Sequence, residues 1–189
     1  MLNFTSPFEL LVATMLSAQS TDLRVNKVTE VMFKDLNTPE DFAKADLETI
    51  ISYIKTVGIY KNKAKNIKAT SEILVRDYNS QVPRDRDELV KLPGVGRKTA
   101  NVVLSNAYGI PAIAVDTHVF RVANRIGLAE SNNVLATERD LEKNIDRELW
   151  SKTHHQLIRH GRAICKARKP ECKTCPLNKV CEFVGKNHD

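Results

Sequence analysis

No cysteine occurs in the first 164 of the 189 residues, and then four follow: Cys165, Cys172, Cys175 and Cys181. That gap excludes a disulfide framework spread through the chain. In a reducing compartment such a tight group reads as a metal site before a disulfide set. A secretory leader is not expected either, because no basic segment opens the sequence and Glu9 interrupts its first apolar stretch. No apolar run is long enough to span a bilayer, so no membrane partner is expected and the default location is cytoplasmic. Two-residue alternation of apolar and polar positions is absent, which excludes hairpin-built sheets. There is no internal repeat and no low-complexity linker. Acidic residues are missing from 55–68, where five lysines fall.

What is present is helical throughout. Phe8, Leu11, Val12, Met15 and Leu16 recur at helix spacing behind Ser6-Pro7, a good cap and first-turn pair. A second helix starts at Asn37-Thr38-Pro39 with Phe42, Leu47, Ile50, Ile51 and Ile54 on its apolar face. After Gly58 comes a basic amphipathic segment, with Ala64, Ile67, Leu74 and Val75 predicted inward. Lys61, Lys63, Lys65 and Lys68 are predicted outward. Asp85 with Glu88 resembles a capping box for a short helix ending at Leu92. A further helix spans Arg97 to Tyr108, stopped by Gly109 and Pro111. Asp116 can cap a helix carrying Val119, Phe120, Val122 and Ile126, and two more fill 134–149 and 151–164. The fold class is all-α, with its best domain boundary at the Gly109–Pro111 break.

Composition is 28% charged and 42% hydrophobic, that of a soluble globular chain long enough for one large or two small domains. The net charge of +6 favours a polyanion without identifying one. Seven Lys/Arg against one Glu at 159–181 form a second basic region. Each run alone reads as a solvated helix face.

Residues 92–100 (LPGVGRKTA) give that charge a use. Pro93 stops one helix. Gly94 and Gly96 permit unusual backbone dihedrals and close approach to a partner. Amides at the start of the next helix point outward, where the helix dipole favours an anion such as a DNA phosphate. Gly94, Val95, Gly96 and Arg97 are therefore candidate DNA contacts. Lys98 lies in the first turn of that helix. It reads either as a phosphate contact or as an amine nucleophile, a role that needs the neutral form. The dipole disfavours the ammonium ion there, and partial burial would add to the effect.

Asp116 lies 18 residues beyond Lys98. A helix to Tyr108 travels roughly 15 Å from the lysine. The extended return covers about 3.3 Å per residue, so Asp116 can come back beside the same helix end. On its own, this aspartate reads as a helix cap. The cysteine spacing of 6, 2 and 5 intervening residues has a single close pair, and by spacing alone both zinc and an iron–sulfur cluster remain open.

Taken together, residues 92–103, the VDTH string at 115–118 and the cysteine interval resemble the endonuclease III family of DNA glycosylases. The resemblance covers nearly the whole chain. It implies a six-helix domain over 1–110, with a helix-hairpin-helix at about 85–108. A smaller helical domain over 111–189 would carry the cluster loop, with an active-site cleft between the two. It implies a [4Fe–4S] cluster on Cys165, Cys172, Cys175 and Cys181. Lys166, Arg168, Lys169 and Lys173 would offset its charge, with Arg168 and Lys169 facing DNA.

Lys98 and Asp116 would be the catalytic pair. The damaged nucleotide rotates out of the duplex, Lys98 attacks the sugar C1′, and Asp116 stabilises the positive charge that develops. The resulting Schiff base permits β-elimination. The implied activity is base excision repair of oxidised pyrimidines by a bifunctional glycosylase and abasic-site lyase. A monofunctional glycosylase, or a non-catalytic DNA-binding or redox module, are the alternatives. The LSAQSTD segment at 16–22 matches the family's early helix-end motif, so Gln19 would fill the gap left by the flipped nucleotide. Ile59 would wedge between bases. Their other readings are a polar helix end and a partly buried core residue. His118 reads as a structural or phosphate contact.

The implied partner is damaged double-stranded DNA, with no obligatory protein partner and a monomeric chain. In a bacterium that places the protein at the nucleoid. Family members carry a further helix before the position of Phe4. Without it, the surface it would cover on the C-terminal domain is expected to be an exposed apolar patch or to be covered by a neighbouring chain.

Overall fold

The computed structural model describes residues 1–185. Among them every regular element is helical. The chain divides into two compact units, Met1–Gly109 and Ile110–Asp189. The division falls where Gly109, at φ 64°, caps a helix in the left-handed region that favours glycine.

The first unit contains α1 (Pro7–Ser17), α2 (Asp22–Asp35), α3 (Pro39–Lys44), α4 (Leu47–Ile54), α5 (Tyr60–Asp77), α6 (Arg86–Leu89) and α7 (Arg97–Tyr108). Ser6 caps α1 by accepting the Glu9 amide at 3.1 Å. Every residue from Phe8 to Leu16 is buried, so α1 is the unit's central helix, packed by α2, α5 and α7. The Phe8 ring meets Phe42 of α3 edge-on at 5.5 Å. Each fully buried side chain here, such as Leu11, Met32, Phe42 or Ile67, contributes about 1.5–3 kcal/mol of transfer free energy.

The six helices expected here resolve into seven segments. The stretch predicted as one helix after Pro39 is two, α3 and α4. Ala45 and Asp46 are extended at the break, and a Thr38–Asp41 capping box makes α3 a closed unit of its own. α2 is the helix the apolar pattern did not reveal, because it buries only Val25, Thr29 and Met32. On α5 the pattern misplaces two residues. Val75 is exposed, whereas Lys63 is buried at 7% exposure. Asp85 does cap α6, accepting the Asp87 and Glu88 amides. The Glu88 carboxylate, though, bonds Tyr78 and Lys91 rather than returning to the cap.

The second unit contains α8 (Thr117–Ile126), α9 (Val134–Asn144), α10 (Trp150–Ala163) and α11 (Glu182–Gly185). The helix predicted over 134–149 stops at Asn144, because Ile145 is extended; a 3-10 turn at Arg147–Leu149 leads into α10. Ile113, Val115, Val119, Val122, Leu141 and Leu157 form the core. Gly161 lets α8 and α10 cross closely, since a Cβ there would lie 3.0 Å from Val122 and 3.1 Å from His118. Val134, Leu135 and Leu149 are exposed. No helix among the described residues is long and apolar enough to cross a membrane.

Candidate active site and DNA-binding surface

The hairpin is built from buried anchors with exposed backbone between them. Leu92 and Val95 are buried, and the Val95 amide donates to the Leu92 carbonyl at 3.1 Å. Thr70 of α5 donates its hydroxyl to the Pro93 carbonyl at 2.9 Å and fixes the turn to the unit. Val95 can therefore offer a partner only backbone, not side chain. The two glycines, which the sequence treats alike, have different jobs. Gly94 sits at φ 75°, and an added Cβ would lie 2.7 Å from Asn66 Nδ2. Gly96 is extended, at φ −90° and ψ 172°, and a Cβ there would meet nothing within 4 Å. Gly96 therefore does not use the conformational freedom expected of it. It stands at the N-cap of α7 and provides no side-chain cap for the first-turn amides.

These two positions are expected to separate folding from binding. Gly94→Ala is expected to destabilise the protein by about 1–3 kcal/mol through left-handed strain and the Asn66 clash. Gly96→Ala should change stability by no more than about 1 kcal/mol and act on duplex affinity instead. Thermal unfolding and a duplex titration on both variants check this. Equal stability losses would contradict the assignment.

Lys98 is exposed in the first turn of α7, and Arg97 is half-buried. The burial expected to help neutralise Lys98 is thus not supplied by the chain. Asp116 belongs to the second unit and caps α8. Its Oδ1 accepts the His118 amide at 2.9 Å and the Val119 amide at 2.8 Å. The capping reading is therefore real. The His118 ring nitrogen Nδ1 lies 3.1 Å from Arg121 Nη2, a structural contact within the unit.

Gln19 and Ile59 are both exposed, and both hold left-handed backbone, at φ 57° and 56°. That conformation is uncommon for any residue with a Cβ and a true outlier for β-branched isoleucine. Their loops touch. The Gly58 amide donates to Ser20 Oγ at 3.3 Å, and a Cβ on Gly58 would lie 3.2 Å from the Gln19 carbonyl oxygen.

The four cysteines are free thiols lining one cavity, whose other walls include Ile126, Ile164, Pro170 and Phe183. Among the described residues, no three Cys, His, Asp or Glu side chains are grouped to hold a metal ion. α8 and α10 grip this loop through residues the sequence did not single out. Arg125 donates to the Lys166 and Ala167 carbonyls at 2.8 and 3.1 Å, approaches Cys165 Sγ at 3.5 Å, and stacks over the Phe183 ring. Its own carbonyl accepts from the Cys181 thiol at 3.4 Å. Arg121 donates to the Cys165 carbonyl at 3.1 Å. His160 Nε2 lies 3.6 Å from Cys175 Sγ, and burial pulls its pKa below the usual histidine value. Their only sequence signal is the four-residue spacing of Arg121 and Arg125, which puts both on one helix face. Lys166 pairs with Glu171 at 2.6 Å across the base of the loop, while Arg168 and Lys169 stand exposed on it.

Residues 12–147, more than half of the chain, match the family model described as HhH-GPD superfamily base excision DNA repair protein. The Bacillus subtilis endonuclease III is 54% identical over 178 residues, covering 94% of this chain and 81% of that protein. The Escherichia coli K12 enzyme is 51% identical over 185 residues, covering 98% and 88%. Among solved structures, a trapped endonuclease III–DNA covalent intermediate superposes with a TM-score of 0.92 at 52% identity, covering 98% of this chain and 87% of that one. A thermostable thymine-DNA glycosylase reaches 0.90 at 28% identity, covering 97% and 87%. With a helical hairpin, a following lysine and an all-helical chain matched this widely, this protein belongs to the HhH-GPD superfamily of base excision DNA repair proteins.

Proposed function

We propose that Lys98 and Asp116 carry the chemistry of this DNA glycosylase and abasic-site lyase, and that its substrates are oxidised pyrimidines in duplex DNA. One observation carries the reading: Lys98 is exposed in the first turn of α7, directly behind a glycine hairpin whose helix start lacks a side-chain cap. A phosphate held by those amides puts the sugar–phosphate backbone beside the amine. A DNA adduct has been trapped for an endonuclease III that shares 52% of its residues with this chain.

The Nζ lone pair of Lys98 forms a bond to C1′ of the flipped nucleotide. The C1′–N bond breaks, and the base leaves with its electron pair and acquires a proton. Asp116 offsets the positive charge on the sugar and helps to accept the amine's proton. The sugar ring then opens to a Schiff base on Nζ. Loss of a C2′ proton expels the 3′ phosphate and cuts the strand. Gly94, Val95, Gly96 and Arg97 hold the backbone. Gln19 and Ile59 fill and wedge the opened stack, and Arg168 and Lys169 extend the positive surface.

Cys165, Cys172, Cys175 and Cys181 would hold a [4Fe–4S] cluster. Four soft thiols lining one cavity are the donor set that such a group takes. Bound there, it organises the basic loop rather than entering the reaction. Purified protein is expected to contain about four iron and four acid-labile sulfide per chain. One zinc and no sulfide would overturn this assignment. Acting on chromosomal DNA, the protein works in the cytoplasm, at the nucleoid of a bacterial cell.

A panel of duplexes carrying an oxidised pyrimidine, a mismatch or an abasic site tests the activity. Strand cleavage at the first and third is expected. Base release without cleavage would make the protein monofunctional, and binding without base release would make it a non-catalytic module.

A further inference from the structure

Lys63 is a buried cation with no part in the chemistry above. It lies in the first turn of α5, yet its ammonium group points back across the unit to the end of α1. There it donates to the Leu16 carbonyl at 2.8 Å and to the Ala18 carbonyl. Those are carbonyls of the last turn of α1 and its cap, where the helix dipole favours a positive charge. Burial pulls the Lys63 pKa below the usual lysine value, so seating a cation here is opposed by desolvation.

The location of these bonds matters. Ala18 is followed by Gln19, the first strained tip. Four residues before Lys63 is Ile59, the second strained tip, whose carbonyl accepts the Lys63 amide at 3.2 Å. One residue therefore grips the backbone beside both tips. A second tie runs parallel to it: Arg24 of α2 donates to the Thr56 carbonyl at 2.8 Å, on the loop that leads to Ile59. Two exposed, left-handed side-chain-bearing residues on touching loops would relax if released. Strain of this kind persists only where the surroundings over-determine it.

We propose that Lys63 is a positioning residue that locks the Gln19 and Ile59 tips into one rigid wedge before DNA arrives. This rests on the reading, proposed above, that both tips enter the duplex. A preassembled wedge spares the ordering of two loops at the moment of insertion. The benefit appears only when the target base must be removed from a paired stack. Cleavage of an abasic site in single-stranded DNA has no stack to open and does not need it.

The test is a cycle of variants on the full-length protein. Lys63→Met keeps the side chain's length and removes its donors. In the otherwise native chain it is expected to slow single-turnover excision from duplex DNA by at least about tenfold, since two charge-assisted hydrogen bonds are lost. β-Elimination on a single-stranded abasic site should be unchanged. In a Gln19→Ala/Ile59→Ala background, Lys63→Met should have no further effect on duplex excision, because its route to the reaction is gone. An equal loss in both backgrounds, or an equal loss on the single strand, would show a merely structural lysine and overturn the proposal. If Lys63→Met does not fold, Lys63→Arg retains the cation with altered geometry and takes its place. A smaller loss that vanishes in the double-alanine background supports the proposal, and one that persists refutes it. Should the double-alanine protein excise from duplex as fast as wild type, the wedge reading itself fails, whatever Lys63 does.

Discussion

Lys98→Gln is expected to slow strand cleavage at an abasic site by at least about a thousandfold, with duplex affinity within about threefold of wild type. The two halves of this result have separate causes. The lost rate follows from removing the attacking lone pair, since a glutamine amide is not a nucleophile. The retained affinity follows from geometry, since backbone amides and the hairpin make the phosphate grip without Nζ. Lys98 is exposed, so the substitution should leave stability within about 0.5 kcal/mol. Single-turnover cleavage and a binding titration on the same preparation decide the matter. A parallel loss in affinity and rate would make Lys98 a phosphate contact instead.

Asp116→Asn is the second large effect, and it separates two roles that one carboxylate holds. Asn caps a helix about as well as Asp, and its amide oxygen can accept the same His118 and Val119 amides. The charge interaction with the α8 dipole is lost, at about 0.3–1 kcal/mol. The melting temperature should therefore fall by no more than about 4 °C. Excision of an oxidised pyrimidine should fall by about two to four orders of magnitude, because a neutral amide neither stabilises the charged sugar nor accepts a proton. Asp116→Ala loses the cap as well and should cost about 1 kcal/mol more. An Asp116→Asn protein that excises at the wild-type rate would reduce this aspartate to a cap.

How much of this was legible in the sequence depended on how local each cause is. Ser6, Asp85, Asp116 and Gly109 act within a few residues of themselves, and each ends or begins a helix where the sequence places it. α2 carries little apolar signal in the sequence because one of its three buried positions is a threonine. Lys63 reads as outward in the sequence because its acceptors lie 47 and 45 residues away, beyond any helical period. Gly94 and Gly96 look equivalent as letters, and only the folded chain tells them apart, by the left-handed backbone of Gly94 and the Asn66 side chain behind it. The cysteine interval implied a shared site, and the four thiols do line one cavity. The arginines that hold that loop were invisible, since Arg125 meets its carbonyl partners 41 and 42 residues downstream. Lys98 was readable as a first-turn residue, but its exposure depends on the folded surface.

Borohydride reduction of the protein on an abasic-site duplex, followed by peptide mass mapping of the adduct, tests the central claim most directly. A single sugar adduct on the amine of Lys98 is the predicted result. No adduct, or an adduct on a different amine, would contradict it.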